Sequence, residues 1–354
     1  MARNRLSESM NKIVLWLAVL AIAACGQDAT NNAPVVNNTV AQSEIEVTPE
    51  NFVYAESSMY FQKQQDKYPV NEWQHVRQMA DVDTQDIVRM NADTAYSIAI
   101  VDVSQGATIS LPESDAYQSI LVIDLNHYNP YVIYSGETVH LTLDDVTIGE
   151  HVYLLMRTSE EDMRGRQDAA VIDAKSAKPF VSENFNEAQL DALRTQLMSR
   201  MAEVLPRAHL AFGRKEDVDT DVHLVAAAAG WAGLPAKAAM YIPDLPVEDR
   251  SGVCSAITFQ PPNLHYEKGA FWSITTYDPD GWIATDKFAT NSKKATPNED
   301  GSFTIHFNCD DQVNNLIVVD GWNATFRMYM PVDVEENLGY MLEMINNNSV
   351  NIVN

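Results

Sequence analysis

The chain has 354 residues, 46% hydrophobic and 21% charged, and a formal net charge of −25. A field of that sign repels nucleic acid and anionic lipid, and it admits a polyanionic substrate only where a local basic pocket exists. The length suffices for two domains or one large one.

Arg3, Arg5 and Lys12 precede the apolar run "IVLWLAVLAIAA", Ile13 to Ala24, which is shorter than the ~20 residues a bilayer span needs. Residues 1–24 therefore read as a signal peptide. Ile22-Ala23-Ala24-Cys25 resembles the bacterial lipobox, in which the cysteine becomes the acylated first residue; an ordinary cleaved signal with a chance cysteine is the alternative. By the same resemblance, Gly26 after Cys25 points to the outer membrane, with the lipid bilayer as a partner through acylated Cys25. Without the signal's three bases and Glu8 the charge is −25 − (+2), or −27. Residues 25–46, "CGQDATNNAPVVNNTVAQSEIE", are too poor in large apolar side chains to order themselves and read as a disordered tether.

"NFVYAESSMYFQKQQDKY" predicts a helix ending near Pro69. From Tyr96 on, "YSIAIVDV", "TISLP", "YQSILVIDL", "YVIYSG", "VHLTL" and "HVYLLMRT" are short runs rich in Val, Ile, Tyr and Thr, separated by Asp, Ser, Gly, Asn or Pro. That rhythm predicts an antiparallel sandwich or β barrel rather than alternating βαβ units. From Asn186 a helical period takes over, with Asn186 and Gln189 spaced as a capping box and Leu190, Leu193, Leu197, Met201 and Val204 on one face. An Ala-rich segment, broken by Gly230, Gly233 and Pro235, follows. Strands then return in "CSAITF", "AFWSITTYD", "FTIHFN", "LIVVDG" and "ATFRMYMP". The divisions are a β domain over 47–180, a helical connector over 181–245, a second β domain over 246–340 and a frayed Asn-rich tail over 341–354. In an oxidising compartment Cys254 and Cys309 can form a disulfide or remain two buried thiols. Edge strands of such sandwiches often pair across subunits, so a homo-oligomer is one expectation.

"RMNADTAYSIAIVDV" followed by "YQSILVIDLNHYNPYVIYSG" resembles the domain-of-unknown-function family 1254. "GAFWSITTYDPDGW", "NEDGSFTIHF" and "FRMYMP" resemble its C-terminal partner, family 1214, in the usual order. The resemblance covers about Tyr68 to Pro331 and implies a mainly β (α+β) protein: two jelly-roll-like antiparallel β domains with connecting and accessory helices. "VVDGWNATF" departs from the family pattern before the last strand. The resemblance names no activity, cofactor or metal.

Candidate site residues follow from polar groups at strand ends. Asn91 and Asp93 stand before a strand whose Tyr96, Ile98 and Ile100 face one way and Ala95, Ser97, Ala99 and Val101 the other. They read either as a turn lock or as a pocket mouth with Tyr96, Arg89 supplying charge. "DLNHYNPY" puts Asp124, Asn126, His127 and Tyr128 at another strand end, where a metal site or an acid/base pair with Asp93 is conceivable and solvated turn chemistry is the plain reading. Trp272 is a core residue or a stacking platform for a sugar ring. Arg327, in an apolar strand, calls for an internal carboxylate partner or an anion. "DPDGW" reads as a turn.

No G-x-S-x-G elbow, H-E-x-x-H, P-loop or dinucleotide fingerprint is present. Two functions remain. The first is a cell-envelope lipoprotein that binds a small-molecule or glycan ligand. The second is a periplasm-facing hydrolase or lyase on carbohydrate-like material, with or without a metal, using Asp93 with His127 or Tyr96. The second requires Asp93, Asp124 and His127 to share one pocket.

Overall fold

A computed structural model describes residues 43–85 and 89–353. The signal-peptide and Cys25 lipidation readings, and most of the tether, lie outside these residues. The last tether residues are in place: Ile45 forms a parallel bridge with Phe185, its N–H bonded to Asn184 O and its carbonyl accepting from Asn186 N.

Helix α1 (Phe52–Gln65) ends ahead of Pro69 as the sequence predicts. The first half then contains β1 (Gln74–His75), β2 (Ala95–Asp102), β3 (Ala107–Ser110), β4 (Gln118–Ile123), β5 (Val132–Tyr134), β6 (Thr138–Leu141), β7 (His151–Thr158), α2 (Met163–Asp168) and β8 (Val171–Ala174). These form a five-stranded sheet, β1-β2-β7-β4-β5, and a three-stranded sheet, β6-β3-β8. The alternation read in β2 is real. Ala99 and Val101 pack with Ile120, Val122 and Leu154 against Ile109 and Leu141 of the smaller sheet, while Ile100 belongs to a separate core.

The middle segment holds α3 (Glu187–Met198), α4 (Met201–Val204) and α5 (Thr220–Ala229). Asn186 caps α3, its side chain accepting from Gln189 N at 2.9 Å. The Gln189 side chain does not return the bond; it accepts from Val47 N at 2.9 Å, so the box is half formed and the spare group ties the chain entry to the helix. The helical period breaks at Ser199–Arg200, before Pro206 is reached. Leu190, Leu197, Val204, Val222 and Val225 bury against Phe52 and Ala55 of α1. The helices thus make a cluster of their own instead of a plain connector.

The second half comprises β9 (Ala239–Ile242), β10 (Ser255–Phe259), β11 (Trp272–Tyr277), β12 (Ala289–Asn291), β13 (Phe303–Phe307), β14 (Asn315–Leu316), β15 (Asn323–Tyr329), α6 (Val334–Asn347) and β16 (Asn351–Ile352). Two four-stranded sheets result, β12-β11-β15-β9 and β14-β13-β10-β16. β9 lies within residues 181–245, so that segment already feeds the second half. The pairing is antiparallel except at β13 and β14. No sheet closes, so the barrel alternative does not hold. Of the tail read as frayed over 341–354, the described residues 341–353 are ordered: α6 continues to Asn347, Val350 is fully buried, and β16 pairs with β10. Asn348 donates to Thr258 O at 2.7 Å, which shows why an Asn-rich sequence can be ordered here.

Cys254 and Cys309 form a disulfide at the ends of β10 and β13. No helix among the described residues is long and apolar enough to cross a membrane.

Candidate functional site

β11 and β15 have two different faces. Trp272, Ile274, Phe326 and Met328 turn toward Ile257, Phe259 and Phe303 of the outer sheet. Trp272 is fully buried among Phe259, Phe303 and Phe326, so it is core and cannot be a ligand platform. The opposite face carries Ser273, Thr275, Arg327 and Tyr329, and it meets the first half.

Each half brings the same kind of rung to that meeting. Across β2, β7, β4 and β5, Tyr96, Arg157, Ser119 and Tyr134 are successive cross-strand partners. Across β9, β15, β11 and β12 they are Tyr241, Arg327, Ser273 and Asn291. A buried arginine flanked by tyrosine and serine thus stands in each sheet.

The Asn91–Thr94 turn is pinned into this interface. Asn91 Oδ1 accepts from Asp93 N at 2.7 Å, and its Nδ2 donates to Thr94 Oγ1 and to Tyr329 OH, both at 2.9 Å. Tyr277 OH donates to Met90 O at 2.8 Å. The turn lock is therefore also a clasp between the halves.

Asp93, held by that clasp, is 9% exposed. Oδ1 accepts a long bond of 3.4 Å from Asn291 Nδ2, and Oδ2 is buried with no hydrogen-bond partner among the described residues. Burial pushes the carboxyl up, opposed by Ser273, Arg327, Asn291 and Lys294. Asp93 lines a cavity of about 250 Å³ with Ser159 and Glu161 from the first half and Phe271, Asn291 and Lys293 from the second. Phe271 lies on Tyr329, rings 4.4 Å apart, with Lys293 Nζ 5.9 Å over its ring. Burial raises Glu161, but Ser159, its own backbone and Lys293 outweigh this and hold it down at about 2.

Arg327 does not make the contact ion pair its position called for. Its guanidinium donates to Thr275 Oγ1 (3.0 Å), Arg89 O (3.0 Å) and Tyr277 OH (2.8 Å), and Asp93 acts on it only through space. Arg89 contributes that carbonyl rather than charge: its own Nη1 donates to Pro243 O, and its φ of +53° turns the chain. Tyr96 lies half-buried beneath Arg157, 5.7 Å from guanidinium carbon to ring centre.

The remaining candidates gather elsewhere. Asp124 braces its own loop, Oδ1 accepting from Asn126 N and Tyr128 N and Oδ2 from Thr147 N and Oγ1. Tyr128 stacks on His223, centroids 5.0 Å apart. His127 is fully buried, and its Nε2 accepts from Ala232 N at 2.7 Å. The ring proton is then on Nδ1, which has no partner, and burial beside His223 pushes the imidazole well below its ordinary pKa. An imidazole with its free lone pair already engaged cannot serve as a base, and neither Asp124 nor His127 lines the Asp93 cavity. Among the described residues no three His, Cys, Asp or Glu side chains are grouped to hold a metal.

Residues 70–144 match the family model described as a protein of unknown function (DUF1254), and residues 254–333 match the one described as a protein of unknown function (DUF1214). The chain thus carries a DUF1254 match followed by a DUF1214 match. Asn91, Asp93 and Tyr96 fall in the first and Ser273, Asn291 and Arg327 in the second, whereas Arg157 and Glu161 lie between them. The VPA0106 protein from Vibrio parahaemolyticus has the same fold, with TM-score 0.65 at 16% identity over 86% of this chain and 98% of that one. A putative uncharacterised protein from Burkholderia cenocepacia gives TM-score 0.47 at 14% identity over 85% and 88%. No curated protein matches.

Arg157 and Glu161 were absent from the sequence-based candidates. The signal for Arg157 was available: a lone arginine in "HVYLLMRT" is the same anomaly as Arg327 in "ATFRMYMP". Glu161 sits in a polar turn and has no such mark.

Proposed function

We propose that the protein is a lipid-anchored protein of the cell envelope, held at the outer membrane through Cys25, that binds a small polyhydroxylated ligand between its halves. One observation carries the reading: a buried carboxylate, Asp93, with one oxygen unpartnered, lines a cavity to which both halves contribute. A polar atom left bare inside a fold costs stability, and it is retained where a ligand donor can complete it. Asn291 and Ser159 at the same cavity offer further hydrogen bonds. Replacing Cys25 by Ser is expected to move the protein from the membrane pellet to the soluble fraction.

The test is Asp93→Asn. A carboxyl raised on folding binds its proton more tightly in the folded state, so its contribution makes stability fall as pH rises from the unfolded value near 3.8 through the raised one. The amide that replaces it does not titrate and carries no such penalty. The variant is expected to be more stable than the parent at pH 7, by about 0.5–2 kcal/mol, with the gap closing toward pH 3. It is also expected to lose the response to monosaccharides in a thermal-shift titration. A variant less stable at pH 7 that still responds to sugars would discard the reading.

The hydrolase that pairs Asp93 with His127 is lost, because neither Asp124 nor His127 lines this cavity, but a different pair has one observation in its favour. Asp93 and Glu161 share a cavity while their environments push them in opposite directions, the pattern of an acid and its ionised partner. Release of nitrophenol from aryl glycosides, lost in both Asp93→Asn and Glu161→Gln, would favour it over binding alone.

A further inference from the structure

Three arginines, Arg157, Arg166 and Arg327, are more than nine-tenths buried, and they are provided for very differently. Arg166 donates to the carbonyls of Glu161, Ala116, Tyr117 and Ser159 and to Ser159 Oγ. Arg327 makes the three bonds already described. Arg157, 7% exposed, makes one, from Nη2 to Ala232 O at 3.0 Å, and its Nη1 is buried without a partner. A guanidinium has five N–H donors, and a buried charge without counter-charge or hydrogen bonds is strongly unfavourable. No carboxylate among the described residues pairs with it. Its surroundings are phenols: Tyr96 under the guanidinium, with Tyr117, Tyr241 and Tyr329 acting on it through space. The hydroxyls of Tyr96, Tyr134 and Tyr241 make no hydrogen bond among the described residues.

Tyr134 links this cluster to open space. Its phenol feels Tyr117, Arg157 and Tyr241, and its side chain lines the largest cavity described, about 780 Å³, between the β5 edge and the second half. Arg214, Lys237 and Lys268 at that cavity have no ion pair among the described residues; Asp115, Glu137 and Glu267 line it as well, Glu137 accepting from the Tyr134 N–H and Glu267 bonded to His265.

We propose that Arg157 is the seat of a small organic carboxylate that enters through the 780 Å³ cavity and lies between the two sheets. The carboxylate matches the fork of the guanidinium and its remaining lone pairs accept from the tyrosine hydroxyls; Arg157 does not itself line the cavity, so the rest of the molecule extends past Tyr134 into a space of ordinary ligand size. A monoanion balances the single under-bonded cation; a doubly charged phosphate would leave excess charge in the interior. The site is distinct from the Asp93 cavity, and neither reading depends on the other.

The test is a thermal-shift titration of the detergent-solubilised full chain with sodium benzoate, sodium glucuronate, inorganic phosphate and glucose. Benzoate or glucuronate is expected to raise Tm by about 2–5 °C at a hundredfold excess over Kd, with phosphate and glucose inert at this site. Arg157→Met is expected to fold, with a ligand-free Tm no lower than the parent's, because it removes an under-bonded charge, and to lose the shift. Arg157→Lys keeps the charge without the fork and is expected to bind at least about tenfold more weakly. Asp93→Asn should respond to carboxylates like the parent. The proposal fails if neither acid shifts the parent, if phosphate alone does, or if the shift survives Arg157→Met. It also fails if Asp93→Asn abolishes the shift and Arg157→Met does not, which would place the acid in the other cavity.

Discussion

Removing the Cys254–Cys309 bridge is expected to lower stability by about 4 kcal/mol, as chain entropy predicts for a loop of this length. The bridge spans a sequence separation of 55 residues, and that stretch includes the whole of β10, β11, β12 and β13. It joins the chain just before β10 to the chain just after β13, strands paired from Ser255–Phe307 to Phe259–Phe303. It therefore reinforces a pairing that the fold already makes and mainly restricts the unfolded chain. A domain stabilised by about 5–15 kcal/mol would lose a large share of its margin. Equilibrium urea unfolding of Cys254→Ser,Cys309→Ser measures this. A loss under ~1 kcal/mol would mean that the unfolded chain keeps β10 near β13 without the bond. Because the bridge belongs to the outer sheet of the second half, ligand binding by the folded variant is expected to be unchanged.

The location of the candidate site was partly legible in the sequence, its composition less so. Asn91 and Asp93 were readable as a turn lock or a pocket mouth because short polar side chains before a strand bond nearby backbone or face a cleft, and the bonds to Asp93 N and Thr94 Oγ1 are of the first kind. The contact to Tyr329 was not readable, since the partner is 238 residues away. For Trp272 the sequence left core and stacking platform open, because a strand pattern does not say which sheet covers which face. The β12-β11-β15-β9 sheet is covered on both sides, and its polar side is the one turned to the first half. His127 shows the opposite failure. Its chemistry suggested catalysis, but a backbone N–H from Ala232, itself at φ +65°, takes the lone pair that a base would need.

Asn91→Ala should be the most informative single change at the clasp, with an expected loss of about 3 kcal/mol. The alanine removes the acceptor for Asp93 N and both donated bonds. It also leaves the hydroxyl of Tyr329, a residue 1% exposed, without its donor. Since Asp93 is positioned by this turn, the same change is expected to abolish binding at the Asp93 cavity even in molecules that remain folded. Asn91→Asp separates the two contributions. It keeps the acceptor for Asp93 N but cannot donate to Tyr329 or Thr94, and it places a second carboxyl beside one that burial already pushes up. Its deficit relative to the parent should therefore grow from about pH 4 to pH 7, while that of Asn91→Ala stays nearly constant over the same range. A double-mutant cycle of Asn91→Ala with Tyr329→Phe, read by chemical denaturation, isolates the bond that crosses between the halves; a coupling of about 1 kcal/mol is expected. A coupling near zero would mean that the Asn91–Tyr329 bond adds nothing between the halves, which would then be held by the other crossing contacts: Tyr277 to Met90 O, Arg327 to Arg89 O, and the packing of Tyr117, Phe271 and Tyr329.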